Sequence, residues 1–311
     1  MANIAFVFSG QGAQYPGMGE SLSKVSPAAA ALYDTAETIR PGIRALSFSG
    51  TAEELRETVN TQPALYLTDL GAASALREAG IEPAAVAGFS LGELPALAFA
   101  GAYSAEEGFS LVLTRAELMA KASRDMPDTP AMAAVLRMAP EEIEKICGGI
   151  EGVWCANYNA PEQTVISGTA SGVAAFRAAC EAAGITPRLV DLPVSGAFHT
   201  PFMAEASAEF GKVLADVNFR TPAIPAYANL TGALYPDDPA EYGRILAAQI
   251  RNPVRWTAEI RAMIAGGIDT FVECGPGKTL CGIIKKIDKS VTALGVENEE
   301  TLAAAVAALK G

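Results

Sequence analysis

One histidine, His199, is the entire imidazole content of this 311-residue chain. Any imidazole chemistry within the chain has to use that residue. Cysteine is scarce too. The five residues, at 147, 155, 180, 274 and 281, form no C-x-x-C pair and are odd in number. The apolar run Ile4 to Phe8 is too short for the core of a signal peptide. A reduced, cytosolic protein without a metal site is the expectation. Positive charge is in deficit, with Lys+Arg 23 against Asp+Glu 35 and a net charge of -12. No basic stripe appears, which argues against nucleic acid as a partner. A clean membrane span is missing as well. Ala84 to Ala105 carries Glu93 as its only charge and approaches spanning length. Gly88, Gly92, Pro95 and Gly101 break that run, so a buried strand, turn and helix explain it better. Internal repeats and low-complexity tracts are absent. Half of the residues are hydrophobic, ample for one large domain or a domain with an insertion.

What is present centres on Ala87-Gly88-Phe89-Ser90-Leu91-Gly92-Glu93. Apolar runs stand on both sides, Pro83 to Ala87 before and Leu94 to Ala100 after. This is the setting of a nucleophile elbow, a strand entering a G-x-S-x-G turn that opens a helix. The chemistry needs Ser90 at a strained tip with its hydroxyl exposed. Gly88 and Gly92 lack Cβ atoms, so strand and helix can approach across the turn. The helix start near Leu91 aims N–H groups at any oxyanion formed beside Ser90. A serine so placed needs a base, and His199 follows it in the chain, the order of α/β-hydrolase-type sites.

In chain order, Ile4 to Phe8 reads as a buried strand, followed by the tight loop Ser9 to Gln14. That loop has a G-x-G but lacks the third glycine of a dinucleotide fingerprint. It can still turn a backbone N–H toward the site. Thr61-Gln62-Pro63 starts a long helix over Ala64 to Ala79. Another helix runs from about Ser104 to Ser123. Its apolar stripe of Leu111, Val112, Leu118, Met119 and Ala122 is interrupted by Arg115. An arginine on a buried face needs an anionic partner. Three explanations stand: a structural salt bridge, for instance to Glu93; a snorkelling side chain; or an anionic substrate.

A polar linker, Arg124 to Pro130, introduces a shift in pattern. Strand 131–136, helix 140–147, strands 153–156 and 164–167, helix 171–183 and strand 187–192 follow. That β-α-β-β-α-β order is the ferredoxin-like pattern. The expected fold is therefore α/β, with 125–194 a ferredoxin-like subdomain inserted into a larger unit of 1–124 and 195–311. After His199 come a helix to about Val217, an extended stretch over 223–229, a helix over 239–250 and a further one from Trp256. Thr270 to Glu273 reads as a strand entering the loop 274–278.

Five segments together resemble one family. They are F-S-G-Q-G-A-Q at 8–14, G-F-S-L-G-E at 88–93, G-A-F-H-T-P-F-M at 196–203, Q-I-R-N-P-V-R-W at 249–256 and E-C-G-P-G-K at 273–278. In this order, and spread nearly end to end, they are similar to malonyl-CoA:acyl carrier protein transacylases. The resemblance implies an α/β-hydrolase-like large domain with a ferredoxin-like insertion. It implies Ser90 as the nucleophile, His199 as base and acid, and the backbone carbonyl at Gln249 as the group orienting the histidine. It puts the oxyanion hole at the N–H groups of Gln11 and Leu91. Arg115 would bind the malonyl carboxylate, with Met119, Asn159 and Phe198 lining the pocket. Arg188, Lys285 and Lys286 match a basic patch for the acidic carrier protein. Malonyl-CoA is then the substrate, no cofactor stays bound, and holo acyl carrier protein is the partner, in fatty acid biosynthesis. A polyketide trans-acyltransferase, a serine thioesterase and a non-catalytic carrier-binding subunit are the rivals. One departure from the family pattern is Phe89, where histidine usually precedes the serine.

Overall fold

The computed structural model describes residues 2–311. The chain opens with β1 (Ile4–Phe8), three short helices α1 (Glu20–Val25), α2 (Pro27–Ile39) and α3 (Ile43–Ser49), and the long α4 (Thr58–Glu78). It continues through β2 (Ala85–Gly88), a single 3-10 turn (Ser90–Gly92), α5 (Glu93–Ala100) and α6 (Ala105–Arg124). The middle segment is β3 (Pro130–Leu136), α7 (Pro140–Cys147), β4 (Val153–Ala160), β5 (Gln163–Thr169), α8 (Ala170–Ala182) and β6 (Arg188–Asp191). Then come α9 (Ala204–Leu214), β7 (Tyr227–Ala228), β8 (Ala233–Leu234), α10 (Tyr242–Gln249) and α11 (Trp256–Ala265). The chain closes with β9 (Thr270–Cys274), α12 (Thr279–Ile287), β10 (Thr292–Val296) and α13 (Glu299–Lys310).

Four of these strands form a parallel sheet in the order β10-β9-β1-β2. A parallel strand is covered on both faces, and alternation along β1 shows how. Phe6 and Phe8 enter one core with Val86, Val272 and residues of α4 to α6. Ala5 and Val7 enter the other with Ala85, Ala87, Phe271 and residues of α11 and α12. Burying each phenylalanine is worth about 2–3 kcal/mol. The carboxyl ends of β1, β2 and β9 lie together, where ligands bind in open α/β sheets.

The middle segment makes a second, antiparallel sheet in the order β4-β5-β3-β6. Together with α7 and α8 this is the ferredoxin-like arrangement. Period-2 alternation again divides its two faces. Ala133 and Val135 pack on Ile143, Cys147 and Phe176 of its own helices. Met132, Ala134 and Val165 face the other way, toward the large sheet's core and the cleft. Among the described residues, no helix is long and apolar enough to cross a membrane.

Three differences from the sequence reading have physical reasons. The helix expected from Thr61 begins at Thr58, which puts Pro63 inside α4. Proline cannot donate to the carbonyl four residues back, that of Val59. Arg40 takes over that carbonyl with an Nη1 bond of 2.8 Å. The extended stretch near 223–229 is a strand only at Tyr227–Ala228, with one parallel bridge from Ala226 to Val86. Finally, β10 carries no strong sequence signal. It is an edge strand whose residues are mostly half-buried, so one face lacks an apolar pattern.

The elbow is a steric construction. A Cβ on Gly88 would stand 1.9 Å from the Gly92 carbonyl, whereas one on Gly282 in α12 would meet nothing within 4 Å. Gly88→Ala should therefore destabilise the fold by roughly 4 kcal/mol or more. Gly282→Ala should stabilise it by about 0.5–1 kcal/mol through helix propensity. Denaturant midpoints of the two variants check both signs. An unchanged midpoint for Gly88→Ala would show that the turn relaxes freely.

Candidate active site

Ser90 sits at the tip of the turn between β2 and α5 with φ 54°. Left-handed backbone costs a non-glycine residue about 1–2 kcal/mol, so the surroundings must hold it there. His199 has a positive φ as well, 60°. Ser90 Oγ and His199 Nε2 are 2.7 Å apart. On the far side of the ring, Nδ1 lies 2.9 Å from the Gln249 carbonyl and 3.1 Å from that of Asn252. Carbonyls only accept, so Nδ1 carries the proton and Nε2 presents its lone pair to the serine. The Ser90 hydroxyl then donates to Nε2. Among the described residues, no carboxylate bonds to the ring.

Burial pushes the His199 pKa down to about 4, and the charge of Arg115 adds to that, against the pull of the two carbonyls. The imidazole is neutral at physiological pH and can take a proton. Arg115, on α6, is 1% exposed. Its Nη1 donates to Gln62 Oε1 at 2.8 Å, and its Nη2 to Gln249 Oε1 at 3.0 Å and Ser90 Oγ at 3.3 Å. Its Nε has no partner. Burial lowers its pKa to about 10, which leaves it charged.

Two explanations of Arg115 are thereby removed. The side chain does not snorkel, because it is buried. Nor does it contact Glu93 directly: the ion pairs among the described residues all lie elsewhere, on exposed side chains, and Glu93 acts on Arg115 only as a nearby charge. Glu93 instead accepts from Asn229 N, Gln249 Nε2 and Tyr235 Oη. Burial raises its pKa to about 7, which weakens it as a counter-ion.

A cleft of about 310 Å³ opens over Ser90. Gln11, Leu91, Arg115, Met119, Asn159, Phe198 and His199 line it, as does Phe89. The backbone N–H groups of Gln11 and Leu91 donate to no protein acceptor among the described residues. Asn159 Oδ1 is buried without a partner. The ring of Phe89 packs edge-on against Trp256, with centroids 5.4 Å apart. Arg188, Lys285 and Lys286 lie outside the cleft and are exposed. Lys286 Nζ donates to Gln163 Oε1 at 2.8 Å, and Gln163 is itself a lining residue. Gln163 and Arg188 both register with Leu136, on opposite sides of β3. Lys285 bonds the carbonyl of Val291.

Sequence reasoning missed three side chains. Gln62 orients the guanidinium. The Gln249 side chain, beyond its carbonyl, donates to Ser90 O at 2.7 Å. Asn229 accepts from Ser90 N at 2.7 Å. Gln62 stands beside Asn60 and Thr61 in α4 and gave no distinct signal in the sequence. A lone asparagine after an extended stretch gave none either.

A family described as acyl transferase domain matches residues 5–307. The malonyl CoA-acyl carrier protein transacylase of Bacillus subtilis is 38% identical over 100% of this chain and 98% of its own length. A Streptococcus pneumoniae structure described as MCAT superposes with a TM-score of 0.92 at 36% identity, covering 98% of this chain and 99% of the other. A malonyl-transacylase solved in complex with its type II PKS acyl-carrier protein gives 0.92 at 31% identity, covering 99% and 100%. Likeness at this level spans nearly the whole chain. The chain belongs to the malonyl CoA-acyl carrier protein transacylases of the acyl transferase domain family.

Proposed function

We propose that the protein moves a malonyl group from malonyl-CoA to the phosphopantetheine thiol of acyl carrier protein, in fatty acid biosynthesis in the cytoplasm. The observation that carries this reading is Arg115, a buried guanidinium without a carboxylate partner, 3.3 Å from Ser90 Oγ. An acyl group ending in a carboxylate supplies what that cation lacks. The relatives named as malonyl transacylases, one of them bound to a carrier protein, support the substrate and the partner.

In this reading His199 Nε2 takes the Ser90 proton as Oγ attacks the thioester carbonyl. The N–H groups of Gln11 and Leu91 receive the oxyanion, worth about 3 kcal/mol per donor in comparable sites. The C–S bond breaks, and the CoA sulfur leaves with the proton from His199. The carrier thiol then gives its proton to His199 and attacks the Ser90 ester, restoring the serine. The imidazolium formed in each half is met by two carbonyl oxygens at Nδ1 rather than by a carboxylate. Met119, Asn159 and Phe198 shape the acyl pocket. We also assign 125–194 as a unit inserted into 1–124 and 195–311, since the antiparallel sheet lies wholly within 130–191. Mass spectrometry after mixing with malonyl-CoA tests the reading. A stable adduct on Ser90 supports it, and steady release of free malonate without an acceptor would make the protein a thioesterase.

Three further outcomes are expected. Arg115→Ala should lose on the order of 3 kcal/mol toward malonyl-CoA, about a hundredfold in kcat/KM, and little toward acetyl-CoA. Arg115→Lys should recover part of the loss, because an ammonium cannot offer two parallel bonds. A parallel fall with both thioesters, in a variant with intact circular dichroism, would remove Arg115 from substrate selection.

The acid limb of the acylation rate should lie near the depressed His199 value of about 4, not at the ordinary 6.5. Protonation below that point removes the base. The same depression means that this group's contribution to folding stability falls as pH drops from about 6.5 to about 4, since the unfolded chain binds the proton more tightly. A pH profile of CoA release that breaks near 6.5 would contradict the buried, neutral imidazole.

Lys286→Glu, alone or with Lys285→Glu, should slow transfer to the carrier protein by roughly tenfold at low salt while sparing acylation by malonyl-CoA. Equal losses in both half-reactions would assign the patch another task.

A further inference from the structure

We propose that Asn229 is a positioning residue that clamps the two successive peptides leading into Ser90, on either side of Phe89, and so sets the rate of acylation. The inference rests on Ser90 being the acylated residue.

The placement begins with the parallel bridge between Ala226 and Val86. Running alongside β2, the segment after Ala226 reaches the elbow three residues later, at Asn229. There the side-chain amide bonds in both directions. Its Oδ1 accepts from Ser90 N at 2.7 Å, and its Nδ2 donates to Gly88 O at 2.7 Å. The peptide entering the left-handed serine is thus held through its N–H, and the one before it through its carbonyl.

The orientation of this amide is settled by its surroundings. Nδ2 also donates to Glu259 Oε1 at 2.8 Å. Both of those partners accept, so the nitrogen must face them and the oxygen is left for two donors, Ser90 N and Gln249 Nε2 at 3.2 Å. The backbone of Asn229 is tied as well: its N–H donates to Glu93 Oε2 at 3.1 Å, and its carbonyl accepts from Arg255 N at 3.0 Å. The residue is 0% exposed and does not line the cleft. It therefore acts on substrate through Ser90, and through Gln249, whose Nε2 donates to the same Oδ1 at 3.2 Å.

Two consequences of this clamp bear on chemistry. The Ser90 N–H is occupied, so the donors facing the cleft are those of the neighbouring residues. And the strained φ of 54° is kept even though the serine itself is not glycine. Without the amide the turn can relax, carrying Oγ away from Nε2.

The test compares Asn229→Ala, which removes both bonds, with Asn229→Asp, which keeps an oxygen for Ser90 N but places another oxygen against Gly88 O. The unsubstituted protein must first show the malonyl adduct on Ser90; if it does not, the proposed function fails and the clamp is not at issue. Single-turnover CoA release should then show Asn229→Ala acylating roughly a hundredfold more slowly at saturating malonyl-CoA, as expected for a misplacement of about 1 Å. KM should stay within about threefold, because Asn229 makes no bond to Arg115, and Gln249 keeps its own bonds to Ser90 O and Glu93. Asn229→Asp should fall between. Folded variants that acylate within about threefold of the unsubstituted chain overturn the proposal, as does a raised KM with unchanged maximal rate. Loss of fold in both variants also overturns it, since the amide would then serve the fold and not the serine.

Discussion

Gln249, at the end of α10, is the residue through which the site is assembled. Its carbonyl accepts from His199 Nδ1, its Nε2 donates to Ser90 O and Glu93, and its Oε1 accepts from Arg115. Serine, histidine and arginine come from segments more than 20 residues apart in the chain. One neutral residue, 1% exposed, fixes all three, the serine and arginine through its amide and the histidine through its carbonyl, without adding a charge to the cleft. A carboxylate at this position would hold the histidine as well, but it would also cancel the guanidinium. Being neutral on the side chain and using its backbone for the histidine, glutamine keeps those two jobs separate.

The electrostatics follow the same logic. The chain is acidic overall, yet the carboxylates nearest the site are driven toward neutrality by burial. Glu93 is raised to about 7, and Asp69 and Glu259 well above their ordinary range. Glu273, which lines the cleft, is raised as well. Arg115 stays charged. A strongly negative protein thus places one buried, charged guanidinium beside the serine. Charge counting along the chain could not have revealed this, because it is blind to burial.

Much of the architecture was legible because it depends on local pattern. The β-α-β-β-α-β order marked the second sheet, and the glycines flanking Ser90 marked the elbow, since their role is steric and short-range. Arg115 was visible as a break in an apolar stripe, but its partners were not. Side-chain bonds between residues 53 and 134 positions apart leave no mark on periodicity. The start of α4 was misplaced for a similar reason: proline reads as a helix start until a distant arginine takes the carbonyl it leaves free. The edge strand β10 went unread because half-exposed parallel edges lack the continuous apolar run of central strands.

The solitary histidine also changes what can be observed. Every imidazole resonance in a nuclear magnetic resonance spectrum of this protein arises from one ring, that of His199. Its two nitrogens sit in unlike settings, Nδ1 against two carbonyls and Nε2 against a hydroxyl. Tautomer, protonation and the state of Ser90 can therefore be followed through a complete reaction cycle with histidine-selective labelling, without assignment and without removing competing signals.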